Sequence, residues 1–569
     1  MYLLIPLKEW EERTANETVR AVTLPMERLN AVVGEAIELT TDFAVRWDDE
    51  NTLYYVRLNA VSGRYTLEID GETVGAGESL YTGAVFDVTQ AIKRKPQRLT
   101  LRITPEFTPD GFFSFGSAVL CGVGESHFEF GRPDQGLSVR TLWEDGETKL
   151  ELSAPVTRPN NYDVLIFRLY ANGLPVAEKT VKPTAPAARL TVRPDLLWDG
   201  AHAPQLRVAA ILRRDAEELD RVEREYGVRH VRISEDGFFR INDVRQPLSG
   251  VGIPLPRRLE SDLEVLSALE SNFVVLPYFE PATENELYLC DFSGLHVMVD
   301  LAETDLGYGE LEKLLTVLTR HPSVCFLRLK QGDDEQRRRF CETVAASAPG
   351  ILPVLACDLP DIEEADAAGT SEEAADLSGS SAVWCISVEA PDSPETAYLL
   401  RRRFEAAQKK HPGSFLVFAH PPAPGCLPGS YEARGHEALW QLFGGQKSVI
   451  GYIAGALYDT IPVENGLIGA DRTTGSDAYW FYRVQFSDRK TIKLLTLPDA
   501  VDDRQKIDVI CYTNAPPVKL TVNGKEKKRV HCTRLARGVY CFAGLRPEKG
   551  ENEITVRAGE LSDTAKVTR

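Results

Sequence analysis

Side chains able to move protons or attack a substrate are sparse in the apolar middle of this chain. Asp333, Asp334 and Glu335 form an acidic run just beyond an apolar stretch. A carboxylate there could protonate a leaving group. Three acids opening a helix-like segment are more simply read as capping charges on the helix dipole. Glu389 and His420 each close an apolar run and together suggest an acid/base pair. Against that pairing, Glu389 reads more readily as a surface-loop acid. A lone histidine beside prolines, as His420 is, is more often structural. No GxSxG and no Ser–His–Asp order points to a hydrolase of another class. The ten cysteines are scattered singly between Cys121 and Cys541, with no CxxC pair and no metal-ligand spacing with histidine. No zinc site or other metal is therefore expected, and no cofactor. Tryptophans are few and dispersed, with Trp384 and Trp440 in the same middle region.

The elements that must position these groups lie between Pro247 and Tyr458. Eight apolar runs of strand length begin near Leu248, Asn272, Leu295, Ser323, Ile351, Ala382, Phe415 and Val449. They are rich in Val, Ile, Leu and Phe, as strands buried on both faces are. Helix-like segments separate them, among them Arg257–Glu270, Leu311–His321, Asp333–Ala348 and Pro394–Lys410. Strand and helix alternating eight times predict a closed (β/α)8 TIM barrel, with its chemistry at the C-terminal ends of the strands. An open doubly wound sheet has the same alternation. No GxGxxG follows the first strand and no GxxxxGK[ST] occurs, so nothing supports a nucleotide-binding version.

Around the barrel the chain reads as β. Arg64–Asp70 alternates with Tyr65, Leu67 and Ile69 on one face, and Leu99–Ile103 is a second strand. Strand patterns continue through Thr148–Ser153, Val164–Tyr170, Ala188–Val192 and Leu206–Leu212, spaced as in a small β-sandwich. Beyond the barrel, aromatic-rich Asp477–Asp488 reads as a helix. A last β-module follows, in which Asn523-Gly524 is a hairpin turn. The acidic, Ala- and Ser-rich tract Asp361–Ser380 reads as a solvated surface helix or loop. A chain of 569 residues is too long for one core. Its formal net charge of −19 argues against nucleic-acid or anionic-membrane partners, which need a basic surface. Cysteines inside apolar runs (Cys325, Cys357, Cys385, Cys511) fit a reducing compartment. No run approaches the ~20 apolar residues of a membrane helix. A cytoplasmic location is expected.

Several stretches together resemble glycoside hydrolase family 2, the β-galactosidase and β-glucuronidase family. Tyr65–Gly75 (YTLEIDGETVG) is similar to the family's "vyvNGxxVG", and Phe86–Thr89 to its "fDiT". Tyr226–Arg229 resembles "fGxR", and Asp236–Val251 (DGFFRINDVRQPLSGV) resembles the family's entry to the barrel. Leu289–Leu295 looks like "lcDexGi", His321–Val324 like "HPSv", and Gly466–Ile468 with Asp471-Arg472 like "Glvdxdr". Tyr512–Asn514 and Leu520–Gly524 are similar to a C-terminal "ytNaxxveLxlNGk". The resemblance implies a multidomain β plus α/β protein. Its parts are a jelly-roll β-sandwich at 1–131, an immunoglobulin-like sandwich at 132–233, the barrel at 234–478 and a second immunoglobulin-like sandwich at 479–569.

The same resemblance implies that the chemistry is missing. Retaining glycosidases need an acid/base and a nucleophilic carboxylate about 5–5.5 Å apart. The family's acid/base is the Glu of "HPSvixWsxxNE", and that register places Gly332 there, after Gln331. The family's nucleophile falls on Ala419, with His420 beside it. The Arg expected in strand two falls on Val275, and a His expected soon after falls on Tyr278. Asp459 keeps a position like the strand-eight carboxylate, and Asp300 stands at the acidic position after strand three. Tyr278, Trp384, His420 and Asp459 are the ligand-contacting candidates. Expected is a pseudoenzyme that binds carbohydrate or serves as an assembly subunit, as a homo-oligomer or beside an active homologue. The alternative is an active β-glycosidase using the displaced carboxylates Glu335, Glu389 or Asp459.

Overall fold

The computed structural model describes the chain except residues 1–2, 14–18, 29–35, 46–51, 62, 80–82, 94, 105–112, 130–135, 145, 205, 255–256, 277–282, 302–307, 361–382, 392, 412, 421–429, 460–465, 496–505 and 529. Two antiparallel sheets face each other at the N-terminus. One runs through Leu3–Pro6, Phe113–Val123, Leu53–Val61 and Ala84–Asp87; the other includes Ile37–Phe43, Gln97–Thr104 and Gly63–Ile69. Alternation drives the pairing. Tyr65, Leu67 and Ile69 turn inward with Leu39, Leu99 and Leu101, against Val56, Leu58 and Leu120 of the facing sheet. Asp70 and Gly71 take φ of +51° and +85° and close the hairpin there. In the "fDiT"-like turn, Thr89 Oγ1 donates to Asp87 Oδ1 (2.6 Å) and accepts from the Tyr54 amide (3.0 Å).

A second sandwich packs Ser138–Glu144, Glu147–Ser153 and Ala187–Val192 over Leu174–Val181, Asp163–Ala171, Leu206–Arg214 and Glu217–Glu225. Its core is built on Leu150, Leu165, Phe167, Val208 and Leu212.

The barrel closes on itself. Its parallel strands are β1 (Leu248–Gly252), β2 (Phe273–Leu276), β3 (His296–Asp300), β4 (Val324–Leu329), β5 (Leu352–Ala356), β6 (Val383–Glu389), β7 (Phe415–His420) and β8 (Val449–Tyr458). β8 pairs back onto β1, and each observed start lies within a residue of the predicted one. A ninth short strand, β9 (Gly466–Ile468), which the sequence pattern did not reveal, adds to the free edge of β8 near its C-terminal end. The helices are α1 (Leu259–Leu269), α2 (Thr283–Ser293), α3 (Tyr308–Leu318), α4 (Asp334–Ser347), α5 (Pro394–Lys410) and α6 (Ser430–Phe443). Inside the barrel Phe273, Met298, Phe326, Leu352, Val354, Val383 and Leu416 form the core. Phe239 and Trp198, from the approach to the barrel, join that cluster and seal its N-terminal end.

Several residues that resemble family motifs serve as structural ties here. Asp291 of α2 takes the His321 Nδ1 contact at 2.7 Å and accepts the Ser323 amide at 3.0 Å, so the "HPSv"-like segment is fixed to α2 just before β4. Arg229, 5 % exposed, donates to the carbonyls of Val324 and Gly350, which precede or open β4 and β5.

The last sandwich packs Ile492–Leu494, Ile507–Thr513, Val539–Leu545 and Cys532–Ala536 against Lys519–Val522, Glu551–Ala558 and Leu561–Thr568. Asn523 and Gly524 (φ +49° and +76°) make the predicted turn. Between barrel and sandwich runs α7 (Asp477–Phe486), whose Ser476 cap accepts the Tyr479 amide. Tyr482 of α7 is fully buried and hydrogen-bonds His436 Nδ1 (2.8 Å) and Tyr452 Oη (3.0 Å). Phe481 packs edge-on against Tyr512 of the sandwich at 5.5 Å. No helix among the described residues is long and apolar enough to cross a membrane.

Two buried histidines make the barrel acid-sensitive. Burial holds His296 down to about 3, and burial followed by the field of His420 holds His436 down to about 4. Both are neutral in the fold, whereas the unfolded chain protonates them near the ordinary value of about 6.5. Their contribution is full above about pH 6.5 and is lost as pH falls toward the folded values, by about 1.4 kcal/mol per unit for each histidine. Urea midpoints should therefore drop between about pH 6.5 and 5, and His436→Gln should make that drop shallower. A flat profile would contradict this account.

Candidate functional site

A cavity of about 450 Å³ opens at the C-terminal ends of the strands. It begins where the apolar barrel core stops. β3 ends in Asp300 and β4 carries Arg328 one residue before its end, both facing inward, and the two form a bidentate pair. Arg328 Nε donates to Asp300 Oδ1 at 2.7 Å and Nη2 to Oδ2 at 2.5 Å. Arg328 Nη1 lies 3.2 Å from Cys385 Sγ of β6, and Lys330 Nζ lies 3.4 Å from Asp300 Oδ2. Burial works against the Arg328 charge, but Cys385 and Asp300 more than offset it and hold the guanidinium above its ordinary range. Burial pushes the Cys385 thiol up, with Arg328 pulling it back.

The opposite wall comes from β7. His420 stacks on Phe418 with ring centres 4.8 Å apart and planes at 19°, and the Arg328 guanidinium carbon lies 5.8 Å from the Phe418 ring centre. Burial first, then Arg328, pushes His420 below its ordinary value, while Glu389 pulls the other way. His420 is thus a neutral imidazole at pH 7. Ser387 and Ala356 complete the lining between β5 and β7.

Gly332 follows β4 with φ +151° and presents no side chain. Beyond it the acids cap α4 as expected. Asp333 accepts the Gln336 amide (2.8 Å) while Gln336 Oε1 accepts the Asp333 amide (2.9 Å), a reciprocal capping box. Glu335 is half-exposed and ion-paired to Arg338 and Arg339 on its own helix, whose hydrogen bonds lower its pKa. Ala419 is fully buried in the layer between strands and helices, and the β7 residues facing the cavity are Phe418 and His420. Glu389 is exposed at the end of β6, directly in register with His420. Asp459 Oδ1 accepts the Gly466 amide at 2.7 Å and ties β8 to β9. Trp384 sits near the start of β6 in the strand–helix layer, its ring 4.2 Å from that of His411, and does not line the cavity. Tyr278 lies outside the described residues, as does the acidic tract Asp361–Ser380. Arg328 and Lys330 went unnoticed as site residues. Their signal was present: two cations alternating with Leu327 and Leu329 in an otherwise apolar strand.

Among the described residues no cluster of His, Cys, Asp and Glu could hold a metal ion. Of the nine described cysteines, all free, only Cys532 is not buried.

Two sandwiches, a closed barrel with its cavity at the C-terminal strand ends, and a further sandwich give this chain the multidomain fold of solved structures named β-glucuronidase and β-galactosidase. In sequence it is similar to a Formosa agariphila protein provisionally named a β-glucuronidase, 23 % identical over 319 residues and 50 % of this chain. It is also 22 % identical over 431 residues, 64 % of this chain, to a β-glucuronidase of Bacteroides fragilis. The matches span 38 % and 60 % of those relatives' own lengths. In fold it is similar to an FMN-binding β-glucuronidase from Facaelibacterium prausnitzii L2-6 (TM-score 0.78, 18 % identity, 100 % of this chain and 98 % of that one). A structure from Bacteroides fragilis provisionally named a β-galactosidase gives a TM-score of 0.80 at 14 % identity, with the same coverage. No family model matches the chain.

Proposed function

We propose that this chain keeps the glycosidase architecture but not the hydrolytic pair, and that it binds a carbohydrate in the barrel mouth or serves as an assembly subunit without cleaving glycosidic bonds. One observation carries the reading. Among the described residues lining the cavity, Asp300 is the only carboxylate, and Arg328 engages both of its oxygens. Glycoside hydrolysis needs one carboxyl group to protonate the leaving oxygen and another to attack or to activate water. A single carboxylate whose two oxygens are both engaged by a guanidinium is turned away from both roles. The acidic net charge supports a partner other than nucleic acid, and the scattered free thiols support a reducing, cytoplasmic setting. As an assembly subunit it would pair with a second copy or with an active homologue.

Purified protein incubated with aryl β-galactoside, β-glucuronide, β-mannoside and β-glucoside should give no turnover above blank. A second reading is favoured by the registration of Glu389 beside His420 at the mouth: an active β-glycosidase working from that displaced carboxylate. The same screen on Glu335→Gln, Glu389→Gln and Asp459→Asn separates the two. Turnover that Glu389→Gln alone abolishes would replace the first reading by the second.

A further inference from the structure

We infer that a second cavity, where the second sandwich meets the α2 side of the barrel, is a binding site for a small organic cation, a protonated amine on a flat apolar body. The cavity lies toward the N-terminal ends of the strands, and the inference is independent of what the barrel mouth binds. Pro322 lines it two residues before β4 begins, so about 20 Å of extended chain separates it from Arg328 at the mouth.

The cavity has a volume of about 250 Å³ and is walled by five aromatic rings. Tyr170 and Tyr226 come from the sandwich side, Trp198 from the approach to the barrel, and Tyr288 and Phe292 from α2. Three of these rings are fixed in place. Trp198 Nε1 donates to the Asp291 carbonyl at 2.9 Å, the Tyr226 hydroxyl lies 3.1 Å from Thr141 Oγ1, and Tyr288 meets His321 edge-on with ring centres 4.6 Å apart. Walls set before a ligand arrives lower the ordering cost of binding it. Aromatic faces also attract cations, and one of these rings already does so: the Arg207 guanidinium carbon lies 4.8 Å from the Tyr170 ring centre.

Charge selects an amine over an acid. Two arginines line the cavity, but each is matched by a glutamate outside the lining: Arg207 by Glu223 at 3.0 Å, and Arg320 by Glu284 at 3.3 Å. The two carboxylates of the lining, Glu225 and Asp291, are therefore in excess. Asp291 is engaged by His321 and by the Ser323 amide, whereas the Glu225 carboxylate has no ion pair or hydrogen bond among the described residues. The Tyr288 hydroxyl also has no hydrogen-bond partner among the described residues, and it reports the local field. Burial first, then Glu284, push it up to about 12, with Glu225 and Asp291 adding and Arg320 opposing. An ammonium can donate to the Glu225 carboxylate and to the Tyr288 oxygen while the rings receive its apolar body.

The test is calorimetric titration of the whole chain at about pH 7 with three ligands that share one body: phenethylamine, 2-phenylethanol and phenylacetate. The amine should bind at least about tenfold more tightly than the alcohol, and the acid least well. Glu225→Gln should weaken the amine by about tenfold and leave the alcohol unchanged. Phe292→Ala should weaken the amine and the alcohol alike. Both side chains are exposed, Phe292 to 57 %, so neither change threatens the fold. Amine and alcohol bound equally would overturn the cation site, and so would an acid bound more tightly than the amine. An amine affinity that neither variant changes would mean binding elsewhere and would overturn the assignment of this cavity. No binding of the amine would overturn the inference outright.

Discussion

Replacing Arg328 with methionine should cost the barrel about 3–5 kcal/mol, because it strips the partner from a buried carboxylate. Asp300 is 1 % exposed, and among the described residues its two oxygens face Arg328 and Lys330. A buried ion pair contributes little net stability when intact, since desolvation offsets most of the attraction. Removing one member is different: the other stays in a low-dielectric site and must either stay charged at great cost or take up a proton. The double variant Arg328→Met with Asp300→Asn should therefore recover most of the loss. The measurement is urea unfolding of the three variants beside the parent, read as the barrel transition. A single-variant loss below about 1 kcal/mol would mean that Asp300 is hydrated or otherwise compensated. A double variant no better than the single would mean that the loss comes from packing against Phe418 and Cys385 rather than from charge.

Gly294→Ala should be nearly as damaging, for steric reasons far from the cavity. Gly294 ends α2 with φ +72°, and the Leu295 amide turns back to the Cys290 carbonyl at 3.1 Å. A Cβ on that residue would sit 1.7 Å from the Gly200 carbonyl oxygen, which is rigid backbone. The left-handed conformation costs about 1–2 kcal/mol and forced displacement of packed backbone another 1–3, together about 2–5 kcal/mol. Gly146→Ala is the control, since Gly146 shares the positive φ (+77°) but faces open space, so strain acts there alone. Comparable losses in the two variants would show that contact with Gly200 adds nothing. A much larger loss at Gly294 should also appear as faster proteolysis at the junction between the second sandwich and the barrel.

How far the sequence reached depended on what each signal encodes. Barrel strands buried on both faces are unbroken apolar runs, and that is why Leu352–Ala356 and Val449–Tyr458 were visible. Helices with caps or clear periodicity were visible too, Pro394–Lys410 to the residue. α2 was not, because Thr283–Ser293 mixes acids and aromatics with little amphipathic order. β9 escaped because three residues of strand carry no period. At the site, register along one strand decides everything. Alternate residues of β7 face opposite layers, so a difference of one position separates Ala419 in the strand–helix layer from His420 in the cavity. The Arg328–Asp300 pair joins two strands 28 residues apart, a contact that no local pattern announces.

The aromatic helix α7 has a consequence for how this chain can be taken apart. Val484 lies within 2.5 Å of where a side chain on Gly538 would begin, and Gln485 donates to the Arg537 carbonyl at 2.7 Å. Tyr482, one turn away, completes a hydrogen-bonded chain inside the barrel. One helix thus serves as an inner wall for two bodies at once. A recombination that exchanged the final sandwich would have to bring a matching helix with it, or leave Phe481 and Tyr512 each without the other. The natural seam for inheritance, and for anyone building a chimera, lies before Ser476 rather than after Phe486.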